Sequence, residues 1–136
     1  MYIYRRKAQY HETDRMGIIH HSNYVKWMEE ARIEFMDQIG LSYREMEDMG
    51  VASPVVGLNV EYKKQVEFGD KIEIRLSVTE YNGAVLEFDY EFYNISKDEI
   101  CTHATSRHCF IHGDRLVSLK KELPKLDADI REQFDI

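Results

Sequence analysis

The chain has 136 residues, 43% of them hydrophobic, and a formal net charge of −7. This length suits one hydrophobic core and is short for two, so we expect a single domain over residues 1–136. Nucleic acid is not expected as a partner, because phosphate binding needs a basic surface and no dense block of Lys and Arg occurs. We expect no integral membrane segment and a cytoplasmic location, because no apolar run approaches the ~20 residues that cross a bilayer and the first residues lack the apolar core of a signal peptide.

A strand and a long helix are predicted first. Apolar residues of one parity predict a strand over residues 2–10, and a turn over residues 14–17 ends it. Apolar side chains then recur at three- and four-residue steps over residues 25–39, which is typical of an amphipathic helix. Ser22 is the expected N-cap of this helix, and Gly40 is placed just past its end, in the C′ position.

A second helix and a series of strands are predicted next. Ser42 and Glu45 have the spacing of a capping box, so a short helix is expected to begin there, run to Met49 and stop at Gly50. Alternation of apolar and polar residues then predicts strands with one buried face over residues 56–63, 72–78, 86–92, 100–111 and 115–119. Asn82-Gly83 predicts a two-residue hairpin turn, and the tail after Pro124 is expected to form a weak helix.

The order of these elements predicts the fold class. A helix with one apolar stripe and an antiparallel meander with one apolar face each need a partner surface, because neither is stable alone in water. The sequence therefore predicts an α+β domain in which the helix packs on the sheet.

The segment that points most clearly to chemistry runs from Tyr10 to Tyr24. Asp14 precedes the turn that Gly17 ends, and His21 lies where the long helix is expected to begin. The first N–H groups of a helix lack intrahelical acceptors and lie at the positive end of its dipole, so they can receive a developing negative charge. A carboxylate beside such a terminus is an arrangement suited to hydrolysis.

The same residues carry a resemblance to a known family. Glu12-Thr13-Asp14-x-x-Gly17, with His21 seven residues and Tyr24 ten residues past Asp14, resembles the motif of the 4-hydroxybenzoyl-CoA thioesterase family, and the YbgC-like acyl-CoA thioesterases are its most similar branch. Glu30-Ala31-Arg32 in the helix and the segment of residues 61–73 extend the similarity. Many members carry Pro where this chain has Gln65, which affects the expected strand bend and not the expected chemistry.

The resemblance implies a fold, an activity and an assembly. The fold would be a hotdog, a curved antiparallel sheet wrapped around one long central helix. The activity would be hydrolysis of an acyl-CoA to the free acid and CoA, without a cofactor. Because members of this family pair their sheets edge to edge and form active sites between subunits, a homodimer or homotetramer is implied.

The resemblance also assigns roles to residues. Asp14 would be the catalytic carboxylate, either as nucleophile or as general base on water, and His21 would lie at the thioester carbonyl, where main-chain N–H groups from about His21 to Asn23 would hold the oxyanion. Substrate-binding roles fall on further residues of the same stretch and on two lysines: Gly17, Ser22, Asn23, Tyr24, Lys63 and Lys64. Arg107 is a third candidate, with the two lysines, for the phosphates of CoA.

Two alternatives and a metal site are weighed against this interpretation. A non-catalytic acyl-CoA binding protein would keep the pocket without needing Asp14, and a hotdog hydratase or dehydratase would need an Asp-x-Asn-x-x-His or His-Phe-Pro pattern that the sequence lacks. No metal is expected, because His11, His20 and His21 have no Cys or carboxylate at a recurrent ligand spacing. His108 and His112 share a face of the predicted strand and could chelate an ion, but hydrogen-bonding roles are favoured.

Overall fold

The computed structural model describes residues 1–40 and 42–134. Its strands are β1 (Tyr2–Lys7), β2 (Val51–Ala52), β3 (Val55–Tyr62), β4 (Lys71–Tyr81), β5 (Val85–Asn94), β6 (Glu99–Cys109), β7 (Ile111–His112) and β8 (Arg115–Leu116). Its helices are α1 (Ser22–Gln38), α2 (Tyr43–Asp48), α3 (Leu119–Glu122) and α4 (Pro124–Gln133), with a short 3-10 helix at Tyr10–Glu12. The predicted α+β class is confirmed.

The main sheet has five strands in the order β1-β4-β5-β6-β3, and each neighbouring pair is antiparallel. Strands β4 and β5 alternate as predicted, so that one face of each is buried. The hairpin between them is also found where it is expected, but its loop has three residues, 82–84, and not two. Asn82 sets this geometry, because its Oδ1 accepts hydrogen bonds from the N–H groups of Ala84 and Val85 at 2.9 and 2.8 Å.

Helix α1 packs its apolar stripe on the sheet. Trp27, Met28, Ala31 and Met36 are buried, and the ring of Phe35 lies 6.1 Å from that of Phe88 on β5. Burial of each large apolar side chain contributes roughly 1.5–3 kcal/mol, so this stripe is a major part of the core. The helix ends as predicted, with Gly40 at a positive φ of 78°.

A row of polar groups crosses this core. The Arg32 side chain, 8% exposed, donates to the hydroxyl of Tyr90 at 3.3 Å. That hydroxyl lies 2.6 Å from the hydroxyl of Ser106, which in turn lies 2.8 Å from Nε2 of His108. These hydrogen bonds satisfy part of the polar surface that the helix and the sheet bury between them.

Strand β3 departs from the prediction of a buried apolar face. Val56, Leu58 and Tyr62 are 57%, 47% and 49% exposed. Strand β3 lies at the edge of the sheet, where it pairs with β6 on one side only, and the face that carries these side chains is left largely uncovered. The alternation of residues 56–63 correctly predicts a strand, but it does not show whether another surface covers that strand.

The boundaries of the first strand and the first helix also need correction. The strand predicted over residues 2–10 ends at Lys7, because Gln9 and Glu12 form a capping box that starts a 3-10 turn. Ser22 is not the N-cap: it is the first residue of α1, and His21 takes the N-cap position. The Ser22 hydroxyl instead lies 2.8 Å from Nδ1 of His20.

Two features of the second half of the chain differ from the prediction. The strand predicted over residues 100–111 breaks at Phe110 into β6 and β7, so His108 and His112 lie on different strands in different sheets. The last strand is shorter than residues 115–119, because α3 begins at Leu119. The predicted second helix and the helix after Pro124 are confirmed as α2 and α4, and the Ser42 side chain accepts from the Glu45 N–H as a capping residue. Within the described ranges, none of the helices has the length and hydropathy that crossing a membrane would require.

Candidate active site

A tight turn presents Asp14. The Asp14 N–H donates to the carbonyl of Ile18 at 2.8 Å, and the Gly17 N–H donates to the carbonyl of Asp14 at 3.1 Å. Gly17 has a φ of 80°, a conformation that side chains disfavour. One carboxylate oxygen, Oδ1, accepts from the Met16 N–H at 2.8 Å, which leaves Oδ2 without a hydrogen-bond donor among the described residues. The half-buried carboxylate therefore keeps one oxygen available for chemistry.

Asp14 lines a pocket of about 420 Å³. Four more of the residues singled out in the sequence line the same pocket: His21, Tyr24, Lys63 and Lys64. The pocket is formed by residues from the Asp14 turn, the start of α1 and the end of β3. The fold thus brings together a carboxylate, a helix N-terminus and two lysines. The two lysines follow Asp14 by 49 and 50 residues in the sequence.

Three of the candidate substrate-binding residues do not line this pocket. Gly17 forms the turn, and the exposed Ser22 contacts His20 through its hydroxyl. Asn23 is buried and donates from Nδ2 to the main-chain oxygen of Glu12 at 2.8 Å. These side chains shape the segment that carries the pocket residues.

The N-terminus of α1 offers fewer free donors than expected. The Asn23 N–H donates to the carbonyl of His20 at 3.0 Å, and the Ser22 N–H donates to Nδ1 of His20 at 3.2 Å. The His21 N–H has no acceptor in the part of the chain that the structure describes. Of the three main-chain N–H groups predicted from His21 to Asn23, only that of His21 is therefore free among the described residues. It lies at the positive end of the helix dipole.

Two tyrosines form an aromatic wall beside His21. The ring of Tyr24 lies 5.0 Å from that of Tyr62, in an edge-to-face arrangement. Burial raises the pKa of both hydroxyls, so both stay neutral at ordinary pH. The Tyr62 hydroxyl donates to the carbonyl of His21 at 3.0 Å and so holds the residue whose N–H is free.

Sequence reasoning missed five lining residues: Met16, Ile18, Ile19, Tyr62 and Gln65. The first three lie between Asp14 and His21 in the sequence, and this position could have indicated that they line the same pocket. Tyr62 and Gln65 flank the two lysines, but only the packing of β3 beside α1 brings them to the pocket. Met16 lies at the pocket wall and is 76% exposed.

The cationic candidates separate into two groups. The main-chain N–H groups of Lys63 and Lys64 both donate to the carbonyl of Cys101, at 2.9 and 3.0 Å, which fixes the backbone and leaves both side chains exposed at the pocket. Arg107 does not line the pocket and hydrogen-bonds Glu87 on the neighbouring strand. Within the described residues, no cluster of three or more His, Cys, Asp or Glu side chains is arranged to hold a metal ion.

Comparison with known proteins identifies the family. Residues 8–134 match the sequence profile of the Thioesterase-like superfamily. A protein of Bacillus subtilis (strain 168), provisionally named acyl-CoA thioesterase YneP, is 35% identical over 120 residues, 87% of this chain and 86% of its own. The acyl-CoA thioester hydrolase YbgC of Escherichia coli O157:H7 is 30% identical over 88 residues, 65% of this chain and 66% of its own. A crystal structure of DHNA-CoA thioesterase from Staphylococcus aureus superposes with a TM-score of 0.90 at 33% identity, covering 96% of this chain and 89% of the other.

These matches confirm the expected hotdog fold and the resemblance to YbgC-like proteins. The family match over residues 8–134 includes the Asp14 turn, α1 and four of the five strands of the main sheet. The chain therefore belongs to the Thioesterase-like superfamily, a family of thioester hydrolases with the hotdog fold.

Proposed function

We propose that this chain, as one domain, is an acyl-CoA thioesterase whose catalytic carboxylate is Asp14. The observation that carries the proposal is the pocket itself, because a carboxylate with a free oxygen and a helix N-terminus with a free N–H line the same cavity. The activities named for YneP, YbgC and the staphylococcal enzyme support the same substrate class.

The reaction consumes one water and needs two kinds of help. Asp14 either removes a proton from water as the water attacks the thioester carbon, or attacks that carbon itself to give an anhydride that water then cleaves. In both cases the carbonyl oxygen becomes negative, and the His21 N–H at the positive end of α1 stabilises it. Collapse of the resulting tetrahedral intermediate breaks the C–S bond and expels the CoA thiolate, which takes up a proton. In the general-base route this collapse gives the carboxylic acid directly; in the nucleophilic route it gives the anhydride with Asp14, which water then cleaves to the acid and the free Asp14 carboxylate.

The remaining lining residues would hold the substrate. Lys63 and Lys64 offer positive charge to the phosphates of CoA, which an otherwise acidic protein needs at this place. Tyr24, Tyr62 and the apolar residues Met16, Ile18 and Ile19 would contact the acyl chain and the pantetheine arm. We place this activity in the cytoplasm as part of the proposal.

The decisive experiment compares the wild-type protein with Asp14→Asn on a series of acyl-CoAs of graded length, with release of free thiol as the readout. We expect Asp14→Asn to lower turnover by about two to four orders of magnitude, which is the usual effect of losing an acid–base or nucleophilic group. Binding of CoA and the melting temperature should stay near the wild-type values. Turnover within threefold of the wild type in a folded variant would contradict the role of Asp14. Binding of acyl-CoA without turnover by either protein would favour a non-catalytic binding protein.

We also propose that the active assembly is a homodimer, or a homotetramer built from it, that pairs through β3. Strand β3 has a free edge and exposed apolar side chains at Val56, Leu58 and Tyr62, and Tyr62 itself reaches the pocket. An exposed apolar edge strand favours pairing with a second strand. Sedimentation at assay concentrations should show a dimer or larger, and Val56→Lys should shift it toward monomer. A fully active monomer of the wild-type chain would contradict this part of the proposal.

A further inference from the structure

Glu12 is a buried carboxylate that does not line the pocket. It is 6% exposed, and three donors reach its two oxygens. Arg6 Nη2 and the Gln9 N–H donate to Oε1 at 2.7 and 2.8 Å, and Trp27 Nε1 donates to Oε2 at 2.8 Å. These donors belong to β1, to the turn before Glu12 and to α1, so one side chain joins three segments of the chain.

The main chain of Glu12 makes a second set of contacts with the same helix. Its carbonyl accepts from the His20 N–H at 2.9 Å and from Asn23 Nδ2 at 2.8 Å. His20 is the residue before the N-cap, and Asn23 lies in the first turn of α1. Glu12 therefore fixes the start of the helix relative to the strand that precedes the turn.

The two groups assigned to the reaction lie directly beside these contacts. Asp14 is two residues after Glu12, and His21 follows His20, whose N–H Glu12 binds. Turnover depends steeply on the separation of a carboxylate and an oxyanion donor, because a shift of about 1 Å can cost about a hundredfold. The contacts of Glu12 join the start of the Asp14 turn to the start of α1, so they bear directly on this separation.

The ion pair alone does not explain the placement of Glu12. Arg6 also binds the half-buried Glu30 of α1, with Nη1 2.6 and 2.5 Å from the two carboxylate oxygens. Arg6 thus keeps a carboxylate partner without Glu12. Apart from the pair with Arg6, the Glu12 side chain accepts from the Gln9 N–H and from Trp27 Nε1, and it is these two bonds that tie the turn to α1.

We propose that Glu12 is a positioning residue for thioester hydrolysis, holding the Asp14 turn and the N-terminus of α1 at the distance that the reaction needs. This inference rests on the proposed function. Glu12 acts through Asp14 and His21 and does not itself touch the substrate.

The test compares Glu12→Gln with Glu30→Gln, which removes a charge from the same Arg6 without touching the turn. We expect Glu12→Gln to lower kcat by about 10- to 100-fold with KM within about threefold, since misplacement weakens transition-state stabilisation more than ground-state binding. Glu30→Gln should keep kcat within about twofold, because Glu30 contacts Arg6 and Tyr4 and neither the Asp14 turn nor the α1 terminus. Amide exchange at His20 should be faster only in Glu12→Gln.

A double variant separates positioning from general stability. If Glu12 acts through Asp14, the residual rate of Asp14→Asn should fall by less than about threefold when Glu12→Gln is added, because residues in one network are non-additive. An equal fall in both backgrounds, or a Glu12→Gln enzyme with wild-type kcat, would overturn the inference and leave the proposed function in place. A wild-type protein that hydrolyses no acyl-CoA would remove both.

Trp27→Phe provides a second variant in case Glu12→Gln does not fold. It removes one donor to Glu12 and keeps the carboxylate and an aromatic ring in the core. We expect a smaller fall in kcat, about three- to tenfold, with the same non-additivity toward Asp14→Asn. If Trp27→Phe lowered kcat by the same factor in the wild-type and the Asp14→Asn background, the inference would be overturned.

Discussion

The two ends of α1 each border a pocket of nearly the same size, and they differ in chemistry. The pocket at the N-terminal end, about 420 Å³, has Asp14, His21, Lys63 and Lys64 in its wall. The pocket at the C-terminal end, about 430 Å³, is bordered by Gly40 and holds exposed apolar groups. It also holds the carboxylates of Glu45, Glu122 and Asp129, with Lys125 as the cation among its described lining residues.

The sign of the helix dipole explains why these pockets are not equivalent. The N-terminus of a helix carries partial positive charge and free N–H groups, whereas the C-terminus carries partial negative charge. A CoA thioester is polyanionic and its hydrolysis develops further negative charge, so only the N-terminal pocket offers a complementary field. The two pockets differ little in volume, so it is the charge at each end of α1 that distinguishes them.

Among variants that probe the two ends of α1, the largest effect should come from removing the main-chain N–H at the helix N-terminus. His21 has a φ of −55°, close to the value that proline requires, so His21→Pro removes the N–H at a compatible position. His21→Ala removes the same imidazole and retains the N–H. We expect His21→Pro to lower turnover about 100- to 1,000-fold relative to His21→Ala, which is the usual cost of one lost oxyanion donor.

This pair of variants tests the comparison directly, since both lack the histidine side chain. Circular dichroism and CoA binding should be alike in the two proteins. Equal turnover in His21→Pro and His21→Ala would show that the N-terminal field does not contribute to the reaction.

His108 on β6, which faces the middle of α1 through Ser106, Tyr90 and Arg32, should affect the stability of the protein and not its catalysis. It is fully buried, and burial together with the charge of Arg32 lowers its pKa from 6.5 to about 4. As the pH falls, the unfolded chain binds a proton at His108 before the folded chain does. The protein is therefore most stable with respect to this group above pH 6.5, and it loses that stability as the pH falls toward 4. The loss should reach up to about 3 kcal/mol, since one pKa unit corresponds to about 1.4 kcal/mol.

Urea unfolding at pH 7.0 and 4.5 measures this effect. His108→Gln provides the control, because it removes the titrating group and keeps a polar side chain beside Ser106. The difference between the two pH values should be smaller in His108→Gln than in the wild type. Equal differences would show that His108 does not carry the acid sensitivity.

The outcome for α1 and for β3 shows what sequence patterns can and cannot predict. The stripe of Trp27, Met28 and Ala31 predicted a helix packed on a sheet, because a period of 3.6 has one structural meaning. The exposure of Leu58 was missed, since alternation identifies a strand face and not what covers it. The sequence also predicts Asn23 as a substrate-binding residue, whereas its side chain donates to the carbonyl of Glu12. This contact depends on the course of the loop between the two residues, which a local sequence pattern does not determine.

The motif itself was predicted more fully than the pocket around it. Asp14 and His21 lie close in sequence, so spacing was sufficient to pair them. Tyr62 joins them only through the packing of β3 beside the helix terminus, where its hydroxyl meets the His21 carbonyl. Contacts of that kind depend on tertiary structure and leave no local signal.

A smaller effect is expected from the two lysines at the N-terminal pocket. Lys63→Met and Lys64→Met each remove one exposed positive charge from its wall. We expect each to raise KM for acyl-CoA about two- to fivefold at low salt with kcat nearly unchanged, because an exposed charge pair contributes about 0.2–1 kcal/mol. The effect should fade at 0.5 M NaCl, where exposed charges are screened. A KM that is unchanged in the double variant would remove the lysines from CoA binding.

The smallest effects should come from a matched pair of methionines, one at each pocket. Met16 is 76% exposed at the N-terminal pocket, and Met49 is 49% exposed at the C-terminal one. Met16→Ala should raise KM for acyl-CoA about two- to fivefold, because each methylene group buried against a ligand contributes about 0.8 kcal/mol. Met49→Ala should leave KM and kcat within about 1.5-fold, and both variants should stay within about 0.5 kcal/mol of the wild-type free energy of unfolding, as is usual for exposed positions. Because the two substitutions delete the same side chain from pockets of equal size, a larger change in KM from Met49→Ala would place acyl-CoA at the C-terminal end of α1 and reverse the assignment.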